Sequence, residues 1–132
     1  AARLGDGWLP YLVSTRQYAE GLAELDAQAR AAGRDPDGFQ RIVVLFAHVD
    51  EDGERAREVA IDHLSRRYGM RFERHHVERL CVAGTREECR ARLAAYEEAG
   101  AEHVSLNPAV DEPGFLEQVE RLRGLAAMEV AL

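Results

Sequence analysis

Hydrophobic positions along the chain fall into two patterns that alternate: short continuous apolar runs, and longer stretches with apolar residues three and four apart. The first run, Gly7-Trp8-Leu9-Pro10-Tyr11-Leu12-Val13, reads as a strand, with Pro10 marking its end or an edge. Ser14 then offers a hydroxyl N-cap with Gln17 as its capping-box partner, and Tyr18, Leu22, Leu25 and Ala29 follow at helical spacing before Gly33. This predicts an amphipathic helix with one buried face. The turn formers Gly33-Arg34-Asp35-Pro36-Asp37-Gly38 lead into Phe39 to Val49, where Ile42-Val43-Val44-Leu45-Phe46-Ala47 is an unbroken apolar run. Such a run predicts a strand covered on both faces.

Asp50-Glu51-Asp52 places negative charge where a helix N-terminus is partly positive, and Ala56, Val59, Ala60 and Leu64 line one side as far as Tyr68-Gly69. A second long helix is expected there. Met70 to Leu80 is rich in charge and histidine; a short irregular helix or loop is expected, anchored by Phe72 and Val77. Thr85 with Glu88 forms another capping box, followed by the stripe Cys89, Leu93 and Tyr96, with Gly100 as the stop. Glu102 to Asn107 predicts a third strand ended by Pro108. Pro113 opens a last helix whose Phe115, Leu116, Val119, Leu122 and Leu125 are expected to face inward.

The resulting order is strand, helix, strand, helix, short helix, helix, strand, helix. A parallel neighbour can be reached only through a connection of a dozen or more residues, so this alternation predicts a parallel α/β sheet. The chain has 132 residues, enough for one domain and about half of the ~250 residues of an eight-stranded β/α barrel. The opening Ala1-Ala2-Arg3-Leu4-Gly5 resembles the last turn of a helix closed by a left-handed glycine, so the chain is expected to begin inside a domain.

Composition narrows the function classes. A hydrophobic fraction of 46% and a charged fraction of 31% describe a globular domain rather than a disordered one. The 24 acidic residues outnumber 17 basic ones, giving a net charge of -7 that argues against a nucleic-acid partner. No apolar run approaches the ~20 residues that span a bilayer, so no membrane partner is expected and a cytoplasmic setting is. Cys81 and Cys89 fit neither a zinc pair nor a disulfide framework and are expected to be buried thiols.

Gly5-Asp6-Gly7-Trp8, Ala31-Ala32-Gly33-Arg34-Asp35-Pro36, Val82-Ala83-Gly84-Thr85-Arg86-Glu87-Glu88 and Glu98-Ala99-Gly100-Ala101-Glu102-His103-Val104 occur in this order along the chain. Together they resemble the closing third to half of bacterial luciferase-like monooxygenases. The resemblance implies a partial TIM-type (β/α)8 barrel in which residues 1–132 form a single domain, the C-terminal portion of the barrel. The last three parallel strands with their helices would lie here, as strands six to eight. It also implies flavin- or deazaflavin-dependent monooxygenase or oxidoreductase activity in the full-length protein, with FMN or 8-hydroxy-5-deazaflavin as cofactor. The family's glycine-rich cofactor segment has no counterpart in this sequence, nor is there a Gly-x-Gly-x-x-Gly or a P-loop. This chain alone is therefore expected to be an incomplete cofactor site and inactive.

In a β/α barrel the groups that act on substrate stand at the carboxyl ends of the strands. That rule selects Trp8, Tyr11, His48, Ser105 and Asn107 as pocket candidates. A period of two puts Ile42, Val44, Phe46 and His48 on one face; if that face looks into the barrel, His48 stands at the mouth. There an imidazole could bond a flavin edge or a small-molecule substrate, or move a proton; otherwise it bonds a neighbouring loop. Trp8 and Tyr11 fall on opposite faces, so one at most is a pocket wall unless Pro10 breaks the pleat, and an indole more often packs in a core. Asn107 either offers its amide to a ligand or organises the turn before Pro108. His75-His76 with Glu78 does not make a metal site, since adjacent histidines diverge and no third ligand has helical spacing. Arg66-Arg67 reads as an exposed helix face.

No nucleophile elbow is present, which suits flavin chemistry, where the cofactor carries the electrons and the protein supplies position. The competing reading is a non-catalytic half-barrel that acts as a binding or oligomerisation module. Under either reading, three strands cut from a ring leave unpaired edges and an apolar face, so a homo-oligomer, most simply a dimer, is expected.

Overall fold

A ten-residue strand, β2 (Gln40–Val49), organises the molecule, and every other strand pairs with it in parallel. The computed structural model describes the backbone of residues 1–130 and the side chains of residues 1–125. In chain order the elements are β1 (Gly7–Trp8), α1 (Thr15–Ala31), a 3-10 turn (Pro36–Gly38), β2, α2 (Gly53–Tyr68), α3 (Arg74–Leu80), β3 (Val82–Gly84), α4 (Arg86–Glu98), β4 (His103–Pro108) and α5 (Glu112–Val130).

Hydrogen-bond parity fixes the sheet. The amides of Gln40, Val44 and Asp50 donate to the carbonyls of Asp6, Pro10 and Gly84, so β1 and β3 share one edge of β2. The carbonyls of Arg41 and Ala47 accept from Glu102 and Ala109 on the opposite edge, where β4 lies with Ile42 beside His103 and Phe46 beside Asn107. The three expected strands therefore stand in the order β1, β2, β4, all parallel. β3 is an addition that the sequence did not announce: Val82–Gly84 meets only the last residues of β2, Ala47 to Val49.

Two further corrections concern β1 and Gly5. Regular pairing covers only Gly7 and Trp8, after which Tyr11 alone bridges Val44. Pro10 has no amide to give, and Leu12 takes a left-handed φ of 52°, which breaks the pleat before Val13. Gly5 does close a turn, its amide donating to Ala1 at 2.7 Å, but without the left-handed conformation expected of it. The Arg34 guanidinium caps that turn instead, donating to the carbonyls of Ala2 at 3.2 Å and Gly5 at 2.6 Å.

The helices begin where the capping boxes place them. Ser14 and Gln17 exchange bonds at the start of α1, as Thr85 and Glu88 do for α4. Asp52 caps α2 by accepting from the amides of Glu54 and Arg55, and left-handed Gly69 closes it. The buried faces of α1 and α4 are Tyr18, Leu22, Leu25 and Ala29, and Cys89, Leu93 and Tyr96. They meet Val43, Leu45, Ala47 and Val49, the odd face of β2, in the larger core. Stacked against Tyr18 with ring centroids 5.4 Å apart, the Trp8 indole lies on this helix side and over Gly21, where a Cβ would come within 2.2 Å of the ring.

The even face of β2 is treated differently along its length. Phe46 is covered by a second cluster that includes Ala60 and Leu64 of α2, Phe72, and Val77 of α3. Ile42 and Val44 are only half-buried. α5 departs from expectation as well: Leu122 and Leu125 are buried, but Leu116 is 77% and Phe115 43% exposed. The buried position in the first half of α5 is Gln118, one helical turn before Leu122, because the amino-terminal part of the helix overhangs the end of the sheet.

Candidate functional site

An uncovered concave face remains on the side of the sheet away from α1 and α4. Register places Val44 next to Ser105 of β4 and, through its bridge, next to Tyr11, so these residues form one row across three strands. Phe46 and Asn107 form the next row toward the carboxyl ends. Alternation along β4 leaves His103, Ser105 and Asn107 exposed while Val104 and Leu106 pack into the larger core. Leu9 and Tyr11 share the open face, each 56% exposed, opposite in sense to Trp8.

A cavity of about 670 Å³ occupies this face, lined by Leu9, Tyr11, Val44, Phe46, Arg67, Tyr68 and Asn107. The structure thus brings Tyr11, Ser105 and Asn107 onto one surface and sends Trp8 to the other side of the sheet. Asn107 makes no side-chain hydrogen bond to the turn that follows it, and the Tyr11 and Ser105 hydroxyls likewise have no partner among the described residues. Apolar and aromatic lining with a few hydroxyl and carboxamide groups along it is the composition of a small-molecule pocket.

His48 sits one step beyond Phe46 and is buried at 5% exposure. Its Nε2 lies 3.3 Å from Gln118 Nε2, and its Nδ1 has no hydrogen-bond partner. Burial lowers its pKa below the ordinary imidazole value, against the raising influence of Asp50. Asp50 itself is held down to about 2, chiefly by the hydrogen bond from Arg55 and by the amide of Asp52.

Arg67 is the member of this site that sequence reasoning passed over. Its guanidinium carbon lies 5.6 Å from the Phe46 ring centroid and 6.0 Å from that of Tyr68. Nothing in Arg66-Arg67 distinguishes it: two cations in the last turn of a helix are ordinary company for the macrodipole. Arg66 does take the ordinary course, bonding Asp111 at 2.5 Å, while its neighbour turns onto the aromatic rings.

Elsewhere, His75 and His76 do not diverge as expected: their ring centroids lie 3.9 Å apart with the planes tilted by 40°, and His76 Nδ1 accepts from the Glu73 amide at the start of α3. Among the described residues no group of three or more His, Cys, Asp or Glu side chains could hold a metal ion. Among the same residues no helix is long and apolar enough to cross a membrane.

No curated protein matches the chain. Solved structures do. An F420-dependent secondary alcohol dehydrogenase, in complex with an F420-acetone adduct, superimposes with a TM-score of 0.74 at 16% identity, over 92% of this chain and 43% of that one. A long-chain alkane monooxygenase gives a TM-score of 0.61 at 14% identity, over 91% and 36%. A riboflavin lyase with modified FMN and riboflavin gives 0.60 at 19% identity, over 94% and 40%. The chain therefore spans about two fifths of the length of these proteins, and its fold is a portion of theirs, a partial β/α barrel. The sequence model of luciferase-like monooxygenases matches residues 1–103, most of the chain. On that match the chain belongs to the luciferase-like monooxygenase family.

Proposed function

We propose that this chain forms the carboxyl-terminal wall of a flavin- or deazaflavin-dependent oxidoreductase, and that the open face of β1, β2 and β4 contacts the cofactor ring or the small-molecule substrate. The observation that carries this reading is the row Tyr11, Val44, Ser105, which no helix covers, with Asn107 and the rim of the buried Phe46 ring above it, at the carboxyl ends of parallel strands. FMN or 8-hydroxy-5-deazaflavin, when bound, supplies the hydride or oxygen chemistry. The chain's own residues do the rest. Val44 and Phe46 exclude water from one side of a ring. Tyr11 and Ser105 present hydroxyls, and Asn107 a carboxamide, to polar atoms on a ring edge. His48 enters as a neutral, buried side chain that fixes the junction of β2 and α5.

Titration of the full-length protein with FMN and with the deazaflavin, followed by the isoalloxazine or deazaflavin absorbance, tests the reading. Stoichiometric uptake weakened about tenfold by Tyr11→Ala or Asn107→Ala supports it, on the usual value of a buried contact or hydrogen bond. Uptake that neither substitution alters contradicts it.

The same open face supports a second reading for the chain by itself. Leu9 and Tyr11 are exposed, and the outer edges of β1 and β4 carry unpaired backbone groups among the described residues, a template for association. A homodimer is the simplest closure, and sedimentation of the isolated chain at micromolar concentration checks it: a stable monomer rejects it.

A further inference from the structure

Two cavities meet at the open face. The first is the floor described above; the second, of about 420 Å³, is bordered by His63, Pro108, Val110, Asp111, Glu112 and Phe115. Three residues line both: Phe46, Asn107 and Arg67. Arg67 therefore stands on the ridge between them, with its guanidinium over the Phe46 and Tyr68 rings.

Its charge is unclaimed. Arg34, Arg41, Arg55, Arg57, Arg66 and Arg74 each have a carboxylate partner, whereas Arg67 has neither an ion pair nor a hydrogen bond among the described residues. Asp111 is spoken for, with His63 Nδ1 at 2.9 Å and Arg66 at 2.5 Å, and Glu112 forms no ion pair with Arg67. At 5.6 and 6.0 Å from two ring centroids the guanidinium is held within cation–π range while its N–H groups stay free for a carboxylate or phosphate. Beside it, Asn107 offers a carboxamide and Val44 a flat wall.

We propose that Arg67 is an anion anchor, and that the ligand on this face is a flat conjugated molecule bearing a carboxylate or phosphate that Arg67 binds while its ring lies along Val44 and Phe46. This deepens the functional reading above and rests on it for the position of the ring. The anionic oxygens belong either to the cofactor's phosphate or to a substrate carboxylate, and the two are separable by experiment.

The test uses the full-length protein, its Arg67→Met and Arg67→Lys variants, and two probe pairs that differ in charge. FMN and riboflavin are titrated by flavin fluorescence, and benzoate and benzyl alcohol by ligand-observed NMR. Arg67 is exposed, so the variants are expected to melt with the wild type. The proposal predicts about a tenfold loss of affinity for an anionic probe in Arg67→Met, in line with a charge-assisted hydrogen bond, partial recovery in Arg67→Lys, and no change for its neutral partner. Loss confined to FMN assigns the anion to the cofactor; loss confined to benzoate assigns it to the substrate. If Arg67→Met binds both anions as tightly as the wild type, or the wild type distinguishes neither pair, the proposal is overturned. A wild type that binds benzoate through Arg67 but neither flavin retains the anion anchor and removes the flavin reading.

Discussion

The side chain of Gln118 completes the sheet for Val49. Its Oε1 accepts from the Val49 amide at 2.9 Å and its Nε2 donates to the Val49 carbonyl at 2.9 Å, replacing the bonds a longer β4 would have made. β4 ends at Pro108 opposite Ala47, so without Gln118 the buried Val49 amide would be unpaired and the Val49 carbonyl would keep only the Arg121 guanidinium, at 3.2 Å. Gln118→Ala is expected to lower stability by about 1–3 kcal/mol, the cost of orphaning the buried Val49 amide. Gln118→Glu should cost at least as much, since it sets a carboxylate against the Val49 carbonyl. Denaturant unfolding checks both: the midpoint should fall with the slope unchanged.

His48 couples that junction to pH. Its pKa is lowered in the fold by burial, so over the window from the unfolded value, about 6.5, down to the folded value the unfolded chain holds more protons. Stability contributed by neutral His48 is therefore present above about pH 6.5 and lost as pH falls through that window. Burial dominates; Asp50, the Ala109 backbone and Glu117 pull the pKa up, and Arg121 adds to the lowering. Unfolding free energy measured between pH 8 and 5 should fall less steeply for His48→Gln than for the wild type; parallel profiles would show that His48 does not titrate with folding.

Gly21 on α1 is required by the Trp8 ring. A Cβ there would lie 2.2 Å from the indole, which stacks on Tyr18 with an interplanar angle of 4°. Gly21→Ala should expel the indole toward solvent and cost about 1–3 kcal/mol in spite of alanine's better helix propensity. Trp8 is the single tryptophan, so its fluorescence reports the site directly. A red-shifted, quenchable emission is expected; an unchanged spectrum would mean that the indole does not lie on Gly21.

Both thiols should be inert in the fold. Burial pushes Cys81 and Cys89 up to about 12 each, so little thiolate is available at pH 8. A thiol reagent should label neither in native protein and both after denaturation. Rapid native labelling of Cys81 would contradict its burial among Phe72, Val77 and Leu80.

The helices were legible because their signals are local. Ser14 with Gln17 and Thr85 with Glu88 mark helix starts within four residues, and the stripe from Tyr18 to Ala29 names the buried face by period alone. Parallel pairing followed from the unbroken apolar run of β2. What escaped depends on partners distant in sequence. Val82–Gly84 is a strand only because the end of β2 lies beside it, and Gln118 looks like a surface glutamine until Val49 is placed 69 residues away. Phe115 and Leu116 follow an apolar helical pattern, yet the sheet does not extend beneath them. Of the site, the alternation of Trp8 and Tyr11 and the exposure of Ser105 and Asn107 could be read from a period of two, while Arg67 could not: its stacking on Phe46 arises from how α2 lies over the end of β2.

The most direct measurement is a structure of the protein in complex with FMN or with 8-hydroxy-5-deazaflavin. The account predicts part of the ligand ring system within about 4 Å of Val44 and Phe46, with a polar ring atom hydrogen-bonded to Tyr11, Ser105 or Asn107. A ligand bound with this face covered instead by protein, or lying on the helix side of the sheet, would contradict it.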